Sequence, residues 1–225
     1  MLTNILKYDH IIWDWNGTLL NDVELCASIM NNLLRKESLP EISLNKYREI
    51  FTFPVEEYYK LAGHNFEKNS FEILGKEFMI EYEEKKLECA LYPFVKDSMQ
   101  LLKEKGKKQY LLSAYKHDNL EGIIKSFKID QYFEHIAGLD NIYAGSKLEL
   151  GKEMIKKINP NGHDENILLI GDTTHDLEVA RGIGIDCLLI SAGHQNKERL
   201  LKLGIPLINN LSEFKEAILK EGNIN

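Results

Sequence analysis

Four short, nearly continuous apolar runs constrain this chain more than any other feature: HIIWDW at 10–15, QYLLSA at 109–114, NILLIGD at 166–172 and CLLISAG at 187–193. A strand that is apolar throughout, with no alternation, is buried on both faces, which is the habit of parallel sheets. HIAGLD at 135–140 and PLINN at 206–210 are weaker strand candidates. Helical patterns separate most of these runs: SMQLLKEKG (98–106), DNLEGIIKSF (118–127), KLELGKEMIKKI (147–158) and DLEVARGIG (176–184), some closing on glycine as helices tend to. The alternation predicts an α/β fold, a parallel sheet covered by helices on both faces.

One interval breaks the rhythm. Between Leu20 and about Pro93 no convincing strand is found, but VELCASIMNNLLRK, VEEYYKLAG and SFEILGKEFMIEYEEKK are amphipathic. The simplest reading is a core formed by residues 1–20 and 93–225, interrupted by a helical insertion over 21–92, with LYPF at 91–94 as the returning linker. A length of 225 residues suits one main domain carrying such an insertion. The tail SEFKEAILKEG, with Leu211 before it, predicts a last helix, and GHQNKERL at 193–200 a helix start.

Composition narrows the partners. A net charge of -7 without any Lys/Arg-rich block argues against nucleic acid. No apolar run approaches the roughly 20 residues that span a bilayer, and MLTNILKYDH lacks a signal-peptide pattern. Cys26, Cys89 and Cys187 are odd in number and far apart, which reads as buried thiols of a reducing compartment. A cytoplasmic protein is expected.

In open parallel sheets ligands collect beyond the carboxyl ends of the strands. The strongest strands here end there on Asp14, Ser113 and Asp172, with Asp176 one helical turn on. Asp and Ser also cap helices that follow strands, so each alone is weak; the set is not. Carboxylates gathered at one edge repel, and Mg²⁺, which takes oxygen ligands and a substrate phosphate, is the natural remedy. No His or Cys cluster competes for a softer metal: His117, His163, His175 and His194 are scattered, as surface or packing residues would be. The turn Asn16-Gly17-Thr18 can aim backbone N–H groups at an anion, with Gly17 permitting the conformation. A lysine would offset phosphoryl charge, and AGSKLELGK offers Lys147 and Lys152.

In this order the motifs resemble those of the haloacid dehalogenase-like (HAD) superfamily. DWNGTL matches its first motif, D-x-D-x-T, except at the third position; LLSA matches the second, Ser146-Lys147 the third and GDTTHD the fourth. The resemblance implies a Rossmann-like three-layer core with a helical cap inserted after the first strand, in a layout like that of the phosphoglycolate phosphatase branch. It selects Lys147 over Lys152. It further implies a Mg²⁺-dependent phosphatase of a small phosphorylated metabolite. Asp14 would be the nucleophile that becomes an aspartyl-phosphate, and Mg²⁺ would be held by Asp14, the Asn16 carbonyl and Asp172 with Asp176 close by. The phosphoryl group would be held by Ser113, Ala114, Lys147 and backbone N–H groups near Trp15 and Gly17, with Thr18 supporting the loop.

Asn16 departs from the family pattern. The usual second Asp protonates the leaving group and later activates water; an amide can do neither, and such help is worth roughly 10² to 10⁴ in rate. Three readings follow: a phosphatase of reduced or specialised rate, a member cleaving another bond such as a phosphonate with a cap lysine (Lys46, Lys60 or Lys68), or a non-catalytic phosphometabolite binder. Asn16-Gly17 is also a deamidation sequence that would convert part of an aged sample to the acid. Within the cap, residues 46–64 are the expected substrate selector, with Arg48 and Lys60 to meet a carboxylate or second phosphate and Phe51, Phe53, Tyr58 and Tyr59 to line the lid. At helical spacing the aromatics also suit the cap's own core.

Overall fold

The computed structural model describes residues 4–140, 147–159 and 166–222. Ser146 of the S-K pair and His163 lie outside the described residues. From the N-terminus the chain runs through β1 (His10–Trp13), β2 (Leu20–Asn21), α1 (Val23–Lys36), α2 (Leu44–Ile50), α3 (Val55–Ala62), α4 (Phe71–Lys85) and β3 (Ala90–Leu91). It continues with α5 (Val95–Glu104), β4 (Lys108–Lys116), α6 (His117–Phe127), β5 (His135–Leu139), α7 (Lys147–Ile158), β6 (Ile167–Gly171) and α8 (Thr174–Ile183). Then come β7 (Asp186–Ile190), α9 (Lys197–Leu201), β8 (Leu207–Ile208) and α10 (Leu211–Gly222).

Six strands form one parallel sheet in the order β5-β4-β1-β6-β7-β8. Successive β1 side chains point to opposite faces. Ile11 and Trp13 pack with Met99 of α5, Ile123 of α6 and Phe214 of α10, and the Trp13 and Phe214 rings meet edge-on at 5.4 Å. Ile12 packs on the other face with Met154 of α7 and Leu177 and Ala180 of α8. Each large apolar side chain buried this way contributes about 1.5–3 kcal/mol, which is why uniformly apolar runs take the central strands. The result is the expected three-layer α/β core.

Strand order decides where chemistry can sit. The chain leaves β1 for β4 and β5 on one side, then returns to β6 on the other, so the order reverses at β1. Trp13 is in register with Leu111 of β4 and Ile170 of β6, which brings Asp14, Ser113 and Asp172 to the same carboxyl edge. A crevice opens at such a switch point.

The four helices α1 to α4 lie between β2 and β3. The interval is not free of strands, however. Leu20 pairs with Leu91 and Asn21 with Ala90 in a two-residue antiparallel ladder, so part of LYPF is strand and not simple linker. Two residues carry no alternation from which a strand can be read. Elsewhere boundaries move: α5 begins at Val95, three residues before the pattern, while α7 occupies the 147–158 span expected of it. Among the described residues no helix is long and apolar enough to cross a membrane.

Candidate active site

Asp14 follows the last residue of β1, and its backbone N–H still donates to the Ile170 carbonyl at 2.9 Å, so the strand pairing that fixes the sheet also fixes this side chain. Asp172 follows β6. Asp176 sits in the first turn of α8, where its Oδ2 accepts from the Thr173 N–H (3.0 Å), the Thr173 hydroxyl (2.7 Å) and the Asp172 N–H (3.2 Å), closing a capping box. Asp14, Asp172 and Asp176 are all buried, and each places a carboxylate oxygen within 4.8 Å of the other two.

Lys147, at the start of α7, joins them. Its ammonium donates to Asp14 Oδ1 at 2.5 Å and to Asp176 Oδ1 at 2.6 Å. Burial alone would pull this lysine down, but the two carboxylates outweigh it and hold the ammonium charged above the ordinary lysine value. Lys152, the other candidate, pairs at the surface with Glu149.

One cation does not balance three acids. Burial pushes Asp14 up to about 6, with the Asp176 charge adding to the rise and Lys147 opposing it. Asp172 is pushed up to about 8 by burial, reinforced by Asp14 and Asp176. Lys147 and the Thr173 hydroxyl hold Asp176 low despite its burial. An oxygen-only donor set with excess negative charge suits a hard divalent cation, so these residues fit Mg²⁺.

Around this centre the turn is built as its sequence demands in one respect and not in another. Gly17 has φ of +71°, and a Cβ there would lie 2.4 Å from both Asp172 Oδ2 and His194 Cδ2, so only glycine fits. Its N–H is not turned to the cleft, however: it donates to the Leu20 carbonyl and to Asp22 Oδ1, both at 3.0 Å. The same bonds hold the nitrogen that would attack in deamidation, while the Asn16 amide it would attack is itself tied down. Thr18 Oγ1 reaches Asp14 Oδ2 (3.3 Å) and Asp172 Oδ1 (3.2 Å), supporting the loop. The Trp15 side chain packs into the core beside Phe127. Ser113 is buried and accepts the Tyr115 N–H at 3.1 Å.

A cavity of about 190 Å³ opens over these groups. Asp14, Ser113, Ala114, Lys147, Asp172 and Asp176 line it from the core; Phe51, Phe53, Tyr58 and Tyr59 line it from the insertion. Arg48 and Lys60 do not reach it. Arg48 donates to the carbonyls of Gly193 (3.1 Å) and Ala192 (3.3 Å), and Lys60 is exposed between Glu56 and Glu57. Nor do Lys46, which pairs with Glu49, or the exposed Lys68.

Residues 11–190 match the haloacid dehalogenase-like hydrolases. The chain belongs to this family. Phosphoglycolate phosphatase of Pseudomonas syringae pv. tomato is 22% identical over 192 residues, covering 83% of this chain and 70% of that protein. Tyrosine-protein kinase PtkA of Mycobacterium tuberculosis is 27% identical over 100 residues, 43% of this chain and 34% of PtkA. The solved structure of PtkA superposes with a TM-score of 0.75 at 19% identity, covering 94% and 98% of the two chains. A haloacid dehalogenase-like family hydrolase from Streptococcus pneumoniae gives 0.75 at 19%, covering 91% and 94%. At such identities the structural likeness establishes the fold alone.

This HAD hydrolase surrounds the Asn16 amide with residues its sequence did not single out. Asn16 Nδ2 donates to Asp22 Oδ2 at 2.6 Å and to the Tyr82 hydroxyl at 2.7 Å; Tyr82 in turn donates to Asp22 at 2.8 Å. Asp22 is fully buried, and His194 Nε2 lies 3.3 Å from its Oδ1. Burial would raise Asp22 and lower His194; each outweighs that for the other, so Asp22 is held below and His194 above its ordinary value. The His194 N–H also donates to Asp172 Oδ2 at 2.6 Å, and Tyr47 bonds its Nδ1 at 2.8 Å. His194 is therefore a site residue and not a scattered one. It follows β7 at the same sheet edge as Asp172, and the strand-end argument would have found it. Asp22 had no such signal: it stands at the N-cap of α1 but turns its carboxylate inward.

Proposed function

We propose that this HAD hydrolase is a Mg²⁺-dependent phosphatase of a small phosphorylated metabolite, working through an aspartyl-phosphate on Asp14 beneath the inserted helices, which act as its cap. The observation that carries the reading is the Lys147 ammonium bridging Asp14 and Asp176 at 2.5 and 2.6 Å beside a third buried carboxylate, at the mouth of the cavity's core side. Asp14, the Asn16 carbonyl and Asp172 would hold Mg²⁺, with Asp176 orienting Lys147. When bound, the metal neutralises the acids and polarises the phosphoryl oxygens.

In this reading one Asp14 oxygen attacks phosphorus, the bond from phosphorus to the leaving oxygen breaks, and the departing oxygen takes a proton. Water then attacks the aspartyl-phosphate, releasing inorganic phosphate and regenerating Asp14. Lys147, Ser113 and the backbone beside Ala114 receive the phosphoryl oxygens, and the cap excludes bulk water. Asn16 cannot move either proton, because its amide is a neutral donor already engaged with Asp22 and Tyr82. Water must serve instead, and the chemical step is slow for leaving groups that need a proton.

A phosphonate-cleaving role with a cap lysine is disfavoured, since none of Lys46, Lys60 and Lys68 lines the cavity. Pure binding is the remaining alternative, favoured by the amide at position 16. Hydrolysis of p-nitrophenyl phosphate with and without Mg²⁺, by the wild type and by Asp14→Asn, separates them. Metal-dependent turnover that disappears in Asp14→Asn is expected; a silent wild type that still binds phosphate would replace the enzyme reading with the binder.

A further inference from the structure

The cavity wall above the phosphoryl site describes the rest of the substrate. In place of the charged selector that Arg48 and Lys60 would have supplied, the wall is rings. Phe51 stacks on His194 at 4.8 Å and meets Tyr58 at 5.2 Å; Phe53 stacks on His175 at 4.5 Å. On the far side Phe78, Met79 and Tyr82 of α4 close the space. Beyond Lys147 the only lysine or arginine among the described residues lining it is Lys116, half-buried at the end of β4.

Arg48 cannot be swung in at no loss. Its guanidinium binds the Gly193 and Ala192 carbonyls, and its own carbonyl accepts the Asn196 N–H at 3.1 Å, so α2 is fastened to the core through it. A leaving group bearing a carboxylate or second phosphate would be desolvated among aromatic faces with Lys116 and His175 at hand and His194 already paired with Asp22, which disfavours it. An apolar ring meets what the wall offers, ring edges and faces and a thioether. Size sets the upper limit: a dry apolar cavity of about 150 Å³ holds one benzene, and the space of about 190 Å³ here, which includes the phosphoryl site, leaves room for one ring at most.

Resting on the phosphatase reading, we infer that the substrate is the phosphate monoester of an alcohol or phenol carrying one ring or a comparably bulky apolar group, and that small anionic monoesters are discriminated against. The test compares kcat/KM for benzyl phosphate, ethyl phosphate and phosphoglycolate, three monoesters with alkoxide leaving groups, with acetyl phosphate as a check on the chemistry. Burying the ring should favour benzyl over ethyl phosphate by about 100-fold, with phosphoglycolate no better than ethyl. Val55→Arg, which sets a cation in the wall, should cut the benzyl-to-phosphoglycolate ratio at least about tenfold; being a ratio, it does not depend on how much of the variant folds. If ethyl phosphate or phosphoglycolate matches or exceeds benzyl phosphate, or if only acetyl phosphate turns over, the inference is overturned while the phosphatase reading stands. If none of the four, acetyl phosphate included, is hydrolysed, both fall.

Discussion

Replacing Asn16 with aspartate puts an acid at this position and sets it against a second buried carboxylate, Asp22. Asn16 Nδ2 lies 2.6 Å from Asp22 Oδ2. In Asn16→Asp the donor becomes an acceptor, and two carboxylate oxygens face each other at hydrogen-bond distance. At an effective dielectric of about 20, two full charges so placed repel by about 6 kcal/mol. Holding a proton on one of them at pH 7 costs about 4 kcal/mol, taking a reference pKa near 3.9 and about 1.4 kcal/mol per pH unit. Protonation is the smaller cost. Because His194 keeps Asp22 ionised, the proton settles on the new carboxyl.

Two consequences follow with defined signs. A carboxyl whose folded pKa lies above its unfolded value contributes stability that is full below about pH 4 and lost as pH rises, so Asn16→Asp should be less stable than the wild type by up to about 4 kcal/mol at pH 7 and about 1.5 at pH 5. The same proton makes position 16 a general acid, and turnover of benzyl phosphate, whose alkoxide must be protonated, should rise roughly 10² to 10⁴-fold. Urea unfolding at the two pH values and Mg²⁺-dependent phosphate release measure both. A stability difference that does not change between pH 5 and 7 would show that the carboxylates never meet. Turnover that stays at the wild-type level would show that the amide is not what limits the rate.

Other perturbations follow from the same geometry. Asp14 and Asp172, raised to about 6 and about 8, should make the metal-free protein lose stability as pH rises from about 4 to 8; the gain from adding Mg²⁺ over EDTA in urea melts should be larger at pH 8 than at pH 5, and an equal gain would contradict the carboxylate site. Gly17→Ala forces a Cβ to 2.4 Å from Asp172 Oδ2 at φ of +71° and should cost about 2–4 kcal/mol together with Mg²⁺ affinity, read by thermal shift with and without the metal. Arg48→Ala removes two hydrogen bonds from the inserted helices to the core and should cost about 1–3 kcal/mol and raise KM more than it lowers kcat in steady-state kinetics.

The legible parts of this chain are those whose physics is local. β1, β4 and β6 announce themselves because burial on both faces favours apolar residues; Asp14 and Asp172 stand out by following such runs, and Ser113 by interrupting one, since β4 continues three residues past it to Lys116. Lys147 needed the resemblance, since its neighbour Lys152 has the same local pattern. What could not be read depends on the insertion folding back. Arg48 lies on a short helix where a charge facing a carbonyl of the core looks the same in sequence as one facing a substrate. Gln195 and Arg199 likewise look like an ordinary helix start, yet both reach the Phe51 carbonyl across the interface, at 3.0 and 2.9 Å.

The amide at position 16 is the instructive case. Taken along the sequence it is a missing acid. In space it is the neutral donor that a fully buried Asp22 requires, and a carboxylate there would leave that acid facing its like. The Asp22 carboxylate in turn accepts the Gly17 N–H, the contact that keeps the turn from opening toward the cleft, and holds His194, whose backbone N–H anchors Asp172. Asn16 is therefore consistent with its surroundings through a chain of contacts ending on the buried carboxylate of Asp172. A change to aspartate has to be accommodated along that whole chain, which is why its effect should appear in stability as well as in rate.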